Sequence, residues 1–349
     1  MKLSRILALI VVMGLLATIV QMPLVAQAQG DDAPKKLGLV LHIRIPFTEQ
    51  IAQGARDAAA DFGYEVEVVG PPTFDATAQI GMFEALVQKG VDGIAVVSYP
   101  AETWKEPINR AIAAGIPVLT LNVHSSESDA PAWFGQDEYG SGKVLAEQLI
   151  PYLEDKPGGD IVLGVCAPGV NVLTDRVNGF SDVMKDYPQF TLHGPFDVTG
   201  EAAKNYAAWQ NQLSAYPDAV AMVGFCAQDM PNLTKLREKT GATFLAAGYD
   251  LEPAALQGIK DGFGEITLGQ NPYLQGYLPI LAFARHFKEG IPYPQGWVDV
   301  GTEVVNPSNV EELMARENSA ELTSEYYHQL IAEQYADMNA MAKPFPGTE

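Results

Sequence analysis

Two polar side chains stand where apolar runs stop. The run 244–249 ends in Asp250, and a second run from Glu265 ends in Gln270. In an open parallel sheet helices cover both faces, so the carboxyl tips of the strands are where small molecules reach the fold. Asp250 accepts from hydroxyl donors, and Gln270 carries both an acceptor and donors, so the pair suits a neutral polyhydroxylated molecule. The plainer alternative makes Asp250 the N-cap of a helix opening at Glu252-Pro253, and Gln270 a turn residue.

The elements that would position them follow an alternating pattern. A strand at 37–42 runs into Arg44-Ile45-Pro46-Phe47. A helix over 48–62 follows with Ile51, Ala55, Ala58, Ala59 and Phe62 on one face, and a strand at 65–69 closes a right-handed βαβ unit. Helices at 79–89 and 104–114 and strands at 93–97 and 116–121 repeat the unit, and Gln136-Asp137-Glu138-Tyr139-Gly140 opens a helix ending near Leu153. A second series runs from a strand at 161–166 through helices at 172–185, 202–215 and 229–240 to the Asp250 stretch. Both series predict an α/β fold of two similar, doubly wound parallel sheets with helices on both faces. After Gln270 come a helix at 274–289, a strand-like segment at 297–305 and a helical tail from 310 to about 341, which belongs to no βαβ unit.

Composition removes several function classes. The chain has 349 residues, enough for two domains, and its net charge of −21 repels phosphate backbones and anionic lipid. Residues 1–28 read as a signal peptide. Lys2 and Arg5 are its basic start, 6–20 an apolar core too short to span a bilayer, and Ala26-Gln27-Ala28 a cleavage site with no lipobox cysteine beside it. The mature protein is thus expected to be periplasmic or secreted. Its two cysteines, Cys166 and Cys226, end the first and third strands of the second series, which are neighbours in the order 2-1-3-4-5. They are expected to lie close together, either bonded in an oxidising compartment or as small buried apolar residues. Five histidines and two cysteines show no metal-ligand spacing, and His42 reads as a satisfied buried histidine.

Several stretches together resemble a known family: HIRIPFTEQIAQGARDAAADFGYEVEVVG, GVDGIAVVSYPAETWKEPINRAIAAGIPVLTLN, FGQDEYGSGK, DRVNGF, GYD and LGQNPYLQGY. In this order they are similar to the type I periplasmic sugar-binding proteins of ABC transporters, the ribose, galactose and autoinducer-2 receptor superfamily. The resemblance implies two lobes joined by three hinge crossings, near 135–137, Gln270 and Val300. The N-terminal lobe would comprise 36–135 plus 271–299, and the C-terminal lobe 136–270 plus 300–349 with the tail. It also implies ligand-binding roles. Phe47 would pack an aromatic face on the C–H face of a sugar. Asn122 follows the fourth strand, where the family's charged Asp-Arg pair is replaced by Asn122 followed by Val123 and His124. Arg176, with Thr174 as the alternative two residues earlier, would offer a hydrogen-bonding group to ring oxygen or hydroxyls. Gln228, Asp250 and Gln270 complete the set, and Arg44, Tyr99, Trp104 and His124 are further candidates on the same rims.

Three function classes compete. An enzyme needs an activated nucleophile or tuned acids, and the chain carries no G-x-S-x-G, H-E-x-x-H or P-loop pattern. A LacI-type regulator shares the fold but needs a basic helix-turn-helix where this chain has a leader. Solute capture remains: a monomer binding a small neutral sugar or polyol without a cofactor, metal or nucleic acid and delivering it to an ABC transporter permease. The alternative ligand is an autoinducer-2-like furanosyl diol or another non-sugar solute, with a chemoreceptor as a further partner.

Overall fold

Short strands buried on both faces build two sheets, as expected where helices pack above and below. The computed structural model describes residues 34–345, so the expected leader and its cleavage site lie outside the described residues. The first sheet contains β1 (Lys36–Val40), β2 (Glu65–Val69), β3 (Gly93–Val96), β4 (Val118–Leu121), β5 (Ala132–Gly135) and β11 (Gly296–Asp299). Their order is β11-β5-β4-β3-β1-β2, and every pairing is parallel. The second contains β6 (Gly159–Val165), β7 (Phe190–Asp197), β8 (Ala221–Gly224), β9 (Leu245–Tyr249), β10 (Ile266–Gly269) and β12 (Glu303–Val305). Its order is β12-β10-β9-β8-β6-β7, parallel except for β12. The adjacency of β6 and β8 brings Cys166 and Cys226 together, and they form a disulfide with Cα atoms 6.1 Å apart.

Each lobe holds one especially close helix pair. In the first, α1 (Pro46–Phe62) packs on a late helix at Pro272–Glu289; in the second, α4 (Glu138–Leu153) packs on α5 (Asn171–Met184). Glycine makes both contacts possible. A Cβ on Gly54 would stand 2.0 Å from the Tyr273 carbonyl oxygen, and one on Gly142 2.0 Å from that of Arg176. A mid-helix glycine costs about 1 kcal/mol against alanine, offset here by packing that no larger residue permits. The remaining helices are α2 (Ala76–Lys89), α3 (Lys105–Ala113), α6 (Ala202–Ala215), α7 (Asp229–Thr240), α8 (Pro253–Lys260), α9 (the late helix Pro272–Glu289), α10 (Val310–Glu317), α11 (Ala320–Gln334) and α12 (Met338–Met341).

The chain passes between the sheets three times: from β5 to α4, from β10 to α9, and from β11 to β12. Side-chain amides tie these passages together. Gln136 Nε2 donates to Gly269 O at 3.2 Å and to Thr302 Oγ1 at 2.7 Å, while Asn271 Nδ2 donates to Val300 O at 2.9 Å. The strand-like segment at 297–305 is therefore two short strands in different sheets.

The tail departs from its expected place in the second lobe. Only α10 sits there: Val310 and Leu313 enter its core, and Arg316 forks onto Glu303 of β12 at 2.7 and 2.8 Å. Helices α11 and α12 send Tyr327, Ile331, Tyr335 and Met338 into the core of the first lobe. The apolar stripe of α11 is satisfied by the tyrosines of α9, with Tyr327 stacked on Tyr273 at 4.4 Å. Beyond α12, Lys343 pairs its backbone with Trp297 of β11.

Candidate functional site

Three strand-end or crossing residues adopt left-handed backbone angles: Asn122 (φ 57°), Asp250 (φ 69°) and Asn271 (φ 48°). Asn and Asp tolerate this region better than other non-glycine residues, and strained backbone concentrates where side chains must be aimed. Asp250 closes β9, and its Oδ1 accepts from Gln270 Nε2 at 2.6 Å. Thr267 Oγ1 donates to the Asp250 carbonyl at 2.7 Å and fixes the turn from beneath. Burial raises the Asp250 carboxyl above the ordinary range, with the Arg176 charge and the Gln270 amide pulling it back.

Arg176 stands on α5 with 4% of its surface exposed. Its Nε donates to Glu138 Oε2 at 2.5 Å, its Nη1 to the Phe225 carbonyl at 3.0 Å, and its guanidinium lies 4.2 Å from the centre of the Tyr249 ring. Burial opposes its charge, and the adjoining Glu138 carboxylate more than offsets this, so its pKa lies above the ordinary value. Tyr249 shares a hydrogen bond with Ser141 at 2.9 Å. The second lobe thus presents two hydrogen-bonded pairs, Glu138–Arg176 and Asp250–Gln270, with the Arg176 charge acting on both acids. Such an array binds hydroxyls through charge-assisted hydrogen bonds and contains no activated nucleophile.

The first lobe faces it with rings. Phe47 is half-buried at the start of α1, where Pro46 occupies the first turn and Thr48 Oγ1 receives the Ile45 N–H at 3.0 Å. His42, Phe74 and Tyr99 form a second aromatic group with centroids 5.4–5.7 Å apart, and Phe74 is 60% exposed. Phe47, Asp250 and Gln270 line one cavity of about 150 Å3. Tyr99 and His124 line another of about 340 Å3, together with Trp133, Gln136, Glu138 and Asp175.

Not every expected residue reaches these cavities; Arg176 itself lines neither, its guanidinium being taken up by Glu138 and the Phe225 carbonyl. Trp104 is fully buried, packs edge-on against Phe83 at 5.4 Å and donates Nε1 to the Tyr99 carbonyl, so it belongs to the core and not to the ligand rim. Arg44 is held by Glu49, with Nη2 2.9 Å from Oε2, and lines neither cavity. Asn122 and Gln228 are half-buried at their strand ends and also line neither cavity; Asn122 spends its carbonyl on Trp133 Nε1 at 3.1 Å. His124 is stacked between Trp133 and Phe345, and burial lowers its pKa to about 4, so it is neutral near pH 7. His42 is lowered to about 4 in the same way, and its Nδ1 is buried without a partner, against the expectation of a satisfied histidine.

Sequence reasoning missed Glu138, which lines the second cavity, and Phe74, which lines neither cavity but packs on His42 and Tyr99. Glu138 was signalled by a second acid directly after a helix cap, since Asp137 Oδ1 accepts from Gly140 N at 2.8 Å and leaves Glu138 to point elsewhere. Phe74 carried no periodic signal, because it lies in the loop between β2 and α2.

Comparison with known proteins agrees with this geometry. Residues 39–290 match the family described as periplasmic binding protein domain. The chain is 28% identical over 300 residues to the xylose/arabinose-binding protein XylF of Sulfolobus acidocaldarius, covering 79% of this chain and 72% of that one. It is 25% identical to the ribose import binding protein RbsB of Bacillus subtilis, covering 71% and 80%. Among solved structures, an ABC transporter solute binding protein from Burkholderia graminis in complex with D-arabinose superposes with a TM-score of 0.75 at 23% identity, over 80% of this chain and 97% of that one. With two α/β lobes and a family match across most of its length, the chain belongs to the periplasmic binding protein family.

Proposed function

We propose that the exported protein captures a small neutral sugar, a pentose or its polyol, between its lobes and presents it to an ABC transporter permease. The observation that carries this reading is the hydrogen-bonded pair of Asp250 and Gln270, which lines one cavity with Phe47, with the buried Arg176 charge acting on Asp250. In the bound state Asp250 and Gln270 accept and donate to hydroxyls, Arg176 holds the Asp250 charge in place, and Phe47 covers an apolar sugar face. Relatives named for xylose/arabinose, ribose and xylitol binding outnumber the one named for D-allose binding, which favours a five-carbon ligand. Closure would bend the passages at 136–137, 270–271 and 300–302, whose mutual hydrogen bonds make them move as one hinge.

A thermal-shift panel of pentoses, hexoses and polyols on the mature chain tests this. A ligand at a hundred times its Kd adds about 2.7 kcal/mol of stability. Stabilisation by at least one pentose or pentitol supports the reading; no response to any member of the panel refutes it.

A further inference from the structure

The cavity that holds Phe47, Asp250 and Gln270 is bounded on one side by residues outside the alternating strand–helix series of either lobe. That side is made by Met314, Glu317 and Asn318 at the end of α10. These residues lie beyond 39–290, the stretch that matches the family. We propose that the tail segment 314–318 is the end wall of the ligand chamber and selects the ligand by length, favouring a five-carbon sugar over a hexose or a disaccharide. The proposal rests on the sugar-binding reading of the same chamber.

Three observations carry it. The chamber, about 150 Å3, is well below the roughly 300–1,000 Å3 of sites for drug-sized molecules, so where the tail wall stands decides what fits. The wall is also firmly placed. Leu313 and Arg316 fasten α10 to the second lobe, while Tyr327 stacks on Tyr273 and His328 Nε2 meets Asp61 at 2.8 Å to fasten α11 to the first. The segment between them is held from both ends. Finally, its chemistry matches a sugar. Met314 offers an adaptable apolar surface, and Glu317 offers a carboxylate whose Oε1 accepts from Arg316 Nη2 at 2.9 Å. Its Oε2 has only a long contact of 3.5 Å to Gln50 Nε2, which leaves that oxygen able to accept a terminal hydroxyl.

Calorimetric titration of the full mature chain with D-xylose, L-arabinose, D-ribose, D-glucose and maltose tests this, using wild type, Met314→Ala, Met314→Leu and Glu317→Gln. One added hydroxymethyl against an apolar wall is worth about tenfold or more in discrimination. Met314→Ala is therefore expected to narrow the pentose-to-hexose affinity ratio by about that factor, and the volume-conserving Met314→Leu to keep the wild-type ratio. Glu317→Gln is expected to weaken the preferred pentose by about threefold to tenfold with melting temperature unchanged. A purely structural role for the tail would shift melting temperature without moving the ratio. If wild type binds a sugar and both the Met314→Ala ratio and the Glu317→Gln affinity stay at wild-type values, the tail proposal alone is overturned. If wild type binds neither any of these sugars nor a pentitol, the functional reading fails and the tail proposal fails with it.

Discussion

Gly54 lets α1 touch α9 in the first lobe, and Gly142 lets α4 touch α5 in the second; each glycine faces a backbone carbonyl that a Cβ would reach at 2.0 Å. On this shared frame the lobes place opposite chemistries at the cleft. The first contributes rings: Phe47, the group of His42, Phe74 and Tyr99, and His124 under Phe345. The second contributes charges and amides joined in two pairs, Glu138 with Arg176 and Asp250 with Gln270, with the Arg176 charge acting on Asp250. A sugar has both kinds of surface, C–H faces and a belt of hydroxyls. A division of this kind meets each with a rigid partner and leaves the hinge to bring them together. The lesson is that packing devices repeat between the lobes while the residues at the strand tips diverge.

The largest test of the contrast compares two arginines. Arg176→Met strands Glu138 as a buried charge and is expected to cost about 3–5 kcal/mol. Arg44→Met removes a part-exposed pair with Glu49 and is expected to cost about 0–1 kcal/mol. Urea unfolding of the two variants measures the difference; equal losses would mean the two rims are alike. Next, Gly54→Val and Gly142→Val drive a side chain into backbone in either lobe, and each is expected to cost upward of about 3 kcal/mol by the same measurement. A large loss in one lobe and none in the other would break the shared frame.

The strand order of the second lobe was legible because apolar runs alternate with helical patterns, and that order alone put Cys166 beside Cys226. Asp250 and Gln270 were legible for the same reason, since each is the first polar residue after a buried strand. Trp104 was not: its place near a strand tip suggested the rim, but the turn before α3 rotates the indole inward onto Phe83. Nor was the covering of His124, because Phe345 arrives from the far end of the chain through the pairing of Lys343 with Trp297. The tail's division between lobes was hidden likewise. Its apolar stripe showed that α11 must pack, but the surface that receives it, Tyr273 on α9, is set by tertiary structure.

A smaller effect should come from the aromatic rim. Phe74→Ala removes an exposed ring from the group with His42 and Tyr99 and is expected to weaken sugar binding by about 0.5–1.5 kcal/mol, with little change in stability. Titration calorimetry with the preferred pentose reads this directly. Acid provides the mildest probe. His42 and His124 have folded-state pKa values of about 4, depressed from 6.5 by burial, so the folded protein prefers them neutral. Their contribution is complete above pH 6.5 and is lost as pH falls toward 4. His124→Gln is expected to flatten the fall in melting temperature across that window; an unchanged profile would remove His124 from the account.

The division of labour across the cleft is tested most directly by calorimetric titration of wild type, Asp250→Ala and Phe47→Ala with the pentose that wild type prefers. Losing a charge-assisted acceptor and leaving Gln270 unpaired should cost Asp250→Ala at least about 3 kcal/mol, more than a hundredfold in Kd, while losing a packed ring should cost Phe47→Ala about tenfold. Wild-type affinity in Asp250→Ala, with binding abolished in Phe47→Ala, would contradict the account.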